Sequence, residues 1–244
     1  MPDYAIIIPA FNEEAYLAGT VAAARQAMTE VPLEGELIVV DNNSTDGTAR
    51  VAAESGADRV VFEPHNQIAL ARNAGARNSE AARLVFVDAD TRISAAVLRE
   101  ALDDLDFGNR VAGGARLVMD QSVSRIVGWL VRFWNHVAAK FGYAAGSFFY
   151  CRRDAFDAVG GFDESVYAGE EVWLAKRLKK WGKPRGLGFR IIAEPPVVTS
   201  GRKSAWFSNG DFILQLGILF LLPWATRSRR LCGMWYRRPV PEAE

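Results

Sequence analysis

The segment 84–91, LVFVDADT, places an apolar run directly before two carboxylates that one small residue separates. The run predicts a buried strand, and the carboxyl end of a strand is where open α/β sheets bind their ligands. Asp88 and Asp90 repel each other unless a positive charge lies near them. A divalent cation carrying a diphosphate would meet that need, because hard cations prefer oxygen ligands. The alternative is an Asp-rich loop that only ends the strand and caps the next helix.

The first third of the chain alternates strand patterns with helical patterns. Apolar runs predict four strands, at residues 5–8, 36–40, 59–62 and 84–87. Pro9 is expected to end the first strand, and residues 68–82 predict the helix before the fourth. This βαβαβαβ order predicts an α/β fold with a mostly parallel central sheet flanked by helices.

Polar residues stand at the carboxyl ends of three of these strands. They are Asn12 and Glu13 after the first, Asp41 after the second, and Asp88 and Asp90 after the fourth. Parallel strands bring such ends to one edge of the sheet, so we expect a ligand crevice there.

The second half of the chain is less regular. Further strands are predicted at residues 111–119, 144–150 and 188–192. A bulge is expected at Gly113-Gly114 in the first of them. Residues 123–141 are strongly amphipathic and predict a helix, and residues 170–181 predict another.

The composition is that of an ordinary globular protein, with 50% hydrophobic and 24% charged residues. Lys and Arg together number 29, as do Asp and Glu, and this balance argues against a nucleic-acid binder driven by overall charge. Cys151 and Cys232 form no metal-ligand spacing and no disulfide framework. The first residues lack the layout of a secretory signal, so a cytoplasmic location is expected.

Neither a Walker loop nor a Gly-x-Gly-x-x-Gly motif follows the first strand, so a nucleotide would have to be held in another way. Other short motifs occur in order: IIPAFNEE at 7–14, VVDNNSTDGT at 39–48, ARNAG at 71–75, VDAD at 87–90, and GGFDE at 160–164 followed by GEEVWL at 169–174. Over about residues 4–182 the chain resembles family 2 glycosyltransferases, which have the GT-A fold.

The resemblance implies a GT-A domain over residues 1–200. Its nucleotide-binding half would span about residues 1–92 and its acceptor-side half about residues 93–200. A C-terminal helix and basic tail would follow at 201–244.

The resemblance also implies how a nucleotide-sugar donor is held. The nucleoside would be bound by residues at the ends of the first two strands: Pro9, Ala10, Phe11, Glu13 and Asp41. Arg72 would pair with the base or the phosphates, although an exposed helix arginine is the alternative. Asp88 would contact the ribose, and Asp90, with Asp88 beside it, would hold Mn²⁺ or Mg²⁺.

A general base is implied at Glu170-Glu171, where the family carries a Glu-Asp pair. Glu171 falls at the usual Asp position, one methylene longer, and either glutamate is a candidate to deprotonate the acceptor hydroxyl. A base there implies a single displacement with inversion at the anomeric carbon. Alternatively, two first-turn glutamates merely complement the helix dipole.

Two further regions carry weaker patterns. The family often has a histidine after its later strands, but residues 198–203 contain none. Arg202 or Lys203 could neutralise the diphosphate instead, or form a plain basic loop. The apolar stretch 212–224, too short to span a bilayer, precedes an Arg- and aromatic-rich tail that suits either a membrane interface or a helix closing the core.

The sequence therefore predicts a metal-dependent, inverting glycosyltransferase of the hexosyltransferase type. Its donor would be a UDP- or GDP-sugar, and its acceptor a hydroxyl of a glycan or a lipid-linked molecule. Two alternatives stay open: a sugar-phosphate nucleotidyltransferase, or a catalytically impaired nucleotide-sugar-binding protein of the same fold.

Overall fold

The computed structural model describes residues 1–121, 123–144 and 146–202 and, further on, 206–208, 210, 211, 214, 217 and 223–236. The strands are β1 (Tyr4–Ala10), β2 (Gly35–Asp41), β3 (Arg59–Phe62), β4 (Arg83–Val87), β5 (Thr91–Arg92), β6 (Arg110–Met119), β7 (Phe148–Arg152) and β8 (Gly188–Thr199). The helices are α1 (Glu14–Thr29), α2 (Thr48–Glu54), α3 (Ile68–Arg77), α4 (Ala95–Asp106), α5 (Arg125–Phe141), α6 (Arg153–Ala158) and α7 (Glu170–Gly182). Short helical turns occur at Lys183–Arg185, Pro223–Arg227 and Gly233–Tyr236.

The strands form one sheet in the order β3-β2-β1-β4-β7-β6-β8-β5. Strands β3, β2, β1 and β4 are parallel to one another. Strand β7 runs antiparallel to both β4 and β6, β8 is parallel to β6, and the short β5 is antiparallel to β8. The predicted βαβαβαβ unit and the α/β class with a mostly parallel sheet are thus confirmed.

Strand β1 lies between two layers of helices and shows why its sequence is apolar at every position. Ile6 and Ile8 pack on one side, in the cluster that contains Leu17 of α1. Ile7 packs on the other side, in the cluster that contains Ala71 of α3. Each fully buried Ile side chain stabilises the fold by about 1.5–3 kcal/mol. Because helices cover both faces of this strand, the polar side chains of the chain's predicted site lie beyond its carboxyl end.

Two predicted boundaries were wrong for local physical reasons. Strand β1 continues through Pro9, which pairs with Val40, because a proline lacks only the backbone donor and keeps its carbonyl. Helix α3 ends at Arg77, not at residue 82. Ser79 turns away from the helix, since its hydroxyl donates to Glu36 Oε1 at 2.6 Å and accepts from the Ala81 N–H at 3.0 Å.

The predicted bulge at Gly113-Gly114 was also wrong. Both glycines pair in register with β7, and the irregularities between β6 and β8 lie on either side of them. A Cβ at Gly113 would lie 2.2 Å from the hydroxyl oxygen of Tyr150, so this glycine is needed for close packing. Strand β7 starts later than predicted, at Phe148, and β8 continues beyond residue 192 to Thr199.

Helix α5 confirms the amphipathic pattern. The Ser124 hydroxyl accepts from the Val127 N–H at 3.2 Å and caps its first turn, and Gly142, with φ of 62°, ends it. Within the described residues no helix has both the length and the apolar character needed to cross a membrane. Most of the predicted stretch 212–224, Lys203 and the tail residues 237–244 lie outside the described residues.

Candidate active site

A cleft opens at the carboxyl ends of the parallel strands, facing the N-terminus of α7. Its wall includes the residues that follow β1 and β4, together with Arg72, Arg202 and the Glu170-Glu171 pair. Of the sequence-predicted site residues, those that line it are Pro9, Ala10, Phe11, Glu13, Arg72, Asp88, Asp90, Glu170, Glu171 and Arg202. These predicted residues, which are up to 193 positions apart in the chain, thus share one cavity.

The turn after β1 is held by the turn after β2. Asn12, with φ of 52°, donates its backbone N–H to Ser44 Oγ at 3.0 Å and accepts the Thr45 N–H at its Oδ1 at 2.8 Å. The Glu13 N–H donates to Thr48 Oγ1 at 2.7 Å. These bonds fix the direction in which the first turn enters α1, and thereby the position of Glu13 in the cleft.

Asp41 lies at the end of β2 but does not line the cleft. Its Oδ1 accepts the Ser44 N–H at 3.0 Å, so the carboxylate shapes the turn. The next residue, Asn42, lines the cleft instead, and its amide donates to the carbonyl of His65 at 2.6 Å. A donor contact by Asp41 therefore stays a prediction.

Arg72 joins the carboxylates on opposite sides of the cleft. It is 1% exposed and bonds to Asp88 Oδ1 at 2.9 Å, to Glu170 Oε1 through a short contact, and to the carbonyl of Gly146 at 2.8 Å. Burial acts to lower the pKa of Arg72, but the charges of Glu170 and Asp88 outweigh it and leave that pKa raised. The guanidinium is therefore a fixed positive charge within the site.

Arg202 likewise places a buried positive charge beside Asp90, the second carboxylate after β4. The pairing of β5 with β8 and the Ser200 N–H to Asp90 carbonyl bond, 3.1 Å, bring the segment after β8 beside Asp90. Arg202 Nη2 then lies 3.0 Å from Asp90 Oδ2 and 2.5 Å from Glu13 Oε1. Burial acts to lower the pKa of Arg202, and its bond to Glu13 and the charge of Asp90 raise it overall.

Glu170 and Glu171 open helix α7 after Gly169, whose φ of 70° is left-handed. Glu170 is buried against Arg72, whereas Glu171 is half-buried and forms no ion pair within the described part of the chain. Burial, followed by the neighbouring charge of Glu170, raises the pKa of Glu171 to about 8. A carboxyl group with a raised pKa beside a cleft is a candidate for proton transfer.

The donor set of the cleft suits a hard cation only in part. Among the described residues no group of three or more His, Cys, Asp or Glu side chains is arranged to hold a metal ion. Asp88 and Asp90 offer oxygen ligands at the cleft, and Mg²⁺ is commonly bound by one or two carboxylates plus substrate phosphates. The residues present therefore fit a cation that is bound together with phosphates. The ion pair between Arg202 and Asp90 would have to break for Asp90 to bind that cation.

Several cleft residues were missed by sequence reasoning. They are Asn42, Asn66, Ile68, Ala89, Gly146, Gly169 and Tyr236. Asn42, Ala89 and Gly169 lie inside motifs quoted above and could have been included with them. Tyr236 could not, because it reaches the cleft by a return of the C-terminal part, where its hydroxyl donates to the Tyr167 carbonyl at 3.0 Å.

The family of this chain follows from its similarity to known proteins. Residues 5–160, more than half of the chain, match the family model described as Glycosyl transferase family 2. The chain belongs to this glycosyltransferase family. The resemblance read from the motifs is thereby confirmed.

Among curated relatives, the uncharacterized glycosyltransferase Rv0539 of Mycobacterium tuberculosis is 36% identical over 111 residues, 46% of this chain and 47% of that protein. The O-antigen chain rhamnosyltransferase WbaN of Salmonella anatum is 25% identical over 198 residues, 75% of this chain and 62% of that protein. The chain thus spans about half the length of the first of these relatives and less than two thirds of the second.

Two solved structures illustrate the shared fold. The mannosyltransferase PcManGT of Pyrobaculum calidifontis, in complex with GDP-Man and Mn²⁺, superposes with a TM-score of 0.63 at 21% identity, covering 98% of this chain and 77% of that one. Glucosyl-3-phosphoglycerate synthase of Mycobacterium tuberculosis, in complex with Mg²⁺ and UDP, gives a TM-score of 0.62 at 17% identity, covering 93% and 79%. The predicted GT-A fold is confirmed.

Proposed function

We propose that this chain transfers a hexosyl residue from a nucleotide-sugar to a hydroxyl acceptor. The observation that carries the proposal is the meeting, in one cleft, of the strand-end carboxylates Asp88 and Asp90 with the Glu170-Glu171 pair of α7. Family membership and the nucleotides bound by the similar structures support it. The family match also favours glycosyl transfer over the nucleotidyltransferase alternative.

The donor lies along the carboxyl edge of the sheet. Pro9, Ala10 and Phe11 form the wall for the nucleoside, and Asp88 accepts from the ribose. Arg202 pairs with the diphosphate, and Arg72 offsets the repulsion between the negative charges of Asp88 and Glu170. Asp41 contributes by holding the turn that carries Asn42.

Asp90, with Asp88 beside it, is the proposed ligand set for Mn²⁺ or Mg²⁺. When bound, such a cation offsets the negative charge that develops on the nucleoside diphosphate leaving group. The cations in the similar structures support this assignment.

Glu171 is the proposed general base, with Glu170 as the second candidate. The acceptor oxygen attacks the anomeric carbon, its proton passes to the Glu171 carboxylate, and the bond from that carbon to the diphosphate oxygen breaks. A single displacement of this kind inverts the anomeric configuration. The raised pKa of Glu171 favours this residue, whereas Glu170 is committed to Arg72.

The acceptor side is proposed to lie in the half of the chain after residue 92, where α7 and Gly146 face the donor half over residues 1–92. The segment 201–244 adds Arg202 and Tyr236 to the cleft. A glycan or a lipid-linked hydroxyl is the proposed acceptor class, and the cytoplasm is the proposed location.

A panel of UDP- and GDP-sugars tests the proposal. Binding by calorimetry and release of the nucleoside diphosphate are measured with and without Mn²⁺, for the wild type, for Asp90→Asn and for Asp106→Asn as the control away from the cleft. We expect one donor to be bound and consumed in a Mn²⁺-dependent manner, with a loss of about a hundredfold or more in Asp90→Asn. Donor binding without any turnover would favour the impaired binding protein, and binding of no donor would contradict both.

A further inference from the structure

Helix α5 presents apolar and aromatic side chains to solvent. Ile126, Trp129 and Phe133 are 45%, 55% and 44% exposed. Their spacing of three and four residues puts them on one stripe of the helix. The Trp129 and Phe133 rings stack with centroids 5.4 Å apart and planes inclined by 10°, so the stripe is a continuous apolar surface.

The opposite side of α5 already anchors the helix to the fold. Val127 and Ala138 are buried, and Val131 and Trp134 pack against the core. The Asn135 side chain donates to the Leu117 carbonyl at 2.9 Å and accepts the Leu117 N–H at 3.2 Å. The contacts that anchor α5 thus lie on the side of the helix away from the stripe.

Positive charge flanks this stripe. Arg125, Arg132 and Lys140 are exposed on the same helix. From Gln121 to Arg153 the chain contains no Asp or Glu, although its overall net charge is zero. An apolar stripe bordered by cations complements a surface whose outer layer is anionic and whose interior is apolar.

We propose that this face of α5, the stripe Ile126-Trp129-Phe133 with its flanking Arg125, Arg132 and Lys140, docks on an anionic lipid bilayer surface. The helix lies in the plane of the interface, with the stripe at the level of the acyl chains and the cations among the head groups. A second copy of the chain is a poorer occupant, because a two-fold contact through this face would bring its like charges together.

Both ends of α5 adjoin the cleft. Val123, just before the helix, lies against Gly201, where a Cβ would be 2.9 Å from Val123 Cγ1, and Arg202 follows Gly201. After the helix, the Gly146 carbonyl accepts from Arg72 within the cleft. Docking through α5 thus brings the cleft to the membrane surface, where a lipid-linked acceptor resides. Only this last consequence rests on the proposed function; the docking does not.

Vesicle co-sedimentation with the full chain tests the proposal. Vesicles of phosphatidylcholine alone are compared with vesicles that also contain phosphatidylglycerol, at low and high salt. We expect binding to the anionic vesicles, weakened by salt, and little binding to the zwitterionic ones. In the anionic vesicles, Trp129→Ala/Phe133→Ala should weaken partitioning about tenfold or more, and Arg125→Glu/Arg132→Glu about thirtyfold or more.

The matched control is Phe62→Ala/Phe107→Ala, which removes two aromatic rings that are 61% and 82% exposed elsewhere on the molecule. Circular dichroism checks that each variant is folded, and the control should bind vesicles as the wild type does. Equal binding of the wild type to both kinds of vesicle, or to neither, overturns the proposal. So does a concentration-dependent dimer that Trp129→Ala/Phe133→Ala abolishes while vesicle binding is unchanged.

Discussion

At the scale of single residues, two arginines organise the charge of the cleft. Arg72 holds Asp88 and Glu170, and Arg202 holds Asp90 and Glu13. Both guanidiniums are almost fully buried, so each neutralises carboxylates that would otherwise repel one another at low dielectric. Glu171 stands outside these two clusters, and this is what leaves its carboxyl group available for proton transfer.

The raised pKa of Glu171 predicts a pH-dependent effect on stability. In the folded state this pKa is about 8, above the ordinary value of 4.5 expected for the unfolded chain. The folded state therefore binds more protons between these values, and stability falls as the pH rises through that window. We expect Glu171→Gln to raise the free energy of unfolding relative to the wild type, by an amount that grows from pH 5 to pH 8.5.

Urea unfolding over this pH range measures the effect. The control is Glu54→Gln, which removes an exposed carboxylate paired with Arg50 and should change stability by no more than about 1 kcal/mol at any pH. A difference between Glu171→Gln and the wild type that stays constant with pH would contradict the raised pKa.

Arg202 is predicted to compete with a metal ion for Asp90. Since its guanidinium lies 3.0 Å from Asp90 Oδ2, removal of the side chain takes away one positive charge that competes with a cation for that carboxylate. We expect Arg202→Ala to bind Mn²⁺ roughly tenfold more tightly than the wild type in the absence of donor, as measured by calorimetry. Arg230→Ala, which removes an exposed arginine, is the control. Unchanged or weaker Mn²⁺ binding in Arg202→Ala would contradict competition between Arg202 and the cation at Asp90.

At the scale of elements, close packing of α3 on the sheet sets the direction of Arg72. The contact is made at Gly75, where a Cβ would lie 2.3 Å from Ile7 Cγ2 and 3.1 Å from Val40 Cγ2. A larger residue there would push α3 away from β1 and β2, and with it the guanidinium that joins the two sides of the cleft.

A pair of glycine substitutions tests this packing. Gly75→Ala should destabilise the fold by about 1–3 kcal/mol through overpacking. Gly19→Ala, in the exposed middle of α1 with open space around it, should stabilise the fold by about 0.8–1 kcal/mol, since alanine is the better helix former. Thermal unfolding measures both. Equal effects of the two substitutions would mean that α3 is not tightly packed at Gly75.

At the scale of the whole molecule, the cleft joins a parallel half and a mixed half of one sheet. The parallel half was predictable, because its apolar runs and helical periods are local and each predicts its own element. The strand-end residues were predictable for the same reason, since parallel strands place their carboxyl ends together.

The features that were not predictable are contacts between elements that lie far apart in the sequence. The pairing of Arg72 with Glu170 links residues 98 positions apart, and that of Arg202 with Glu13 links residues 189 apart. No local pattern encodes either pair. Tyr236 reaches the cleft in the same non-local way, and the end of α3 was set by a Ser79 bond to β2.

The central claim is that Glu171 is the base opposite a donor site at Asp88 and Asp90. The most direct measurement compares Glu171→Gln with Glu170→Gln in steady-state transfer and in donor binding by calorimetry. The account predicts that Glu171→Gln keeps donor affinity within about twofold while kcat falls by about 10²–10⁴-fold. Glu170→Gln, which leaves Arg72 short of a partner, should lose donor affinity and stability as well. Wild-type kcat in Glu171→Gln would contradict the account.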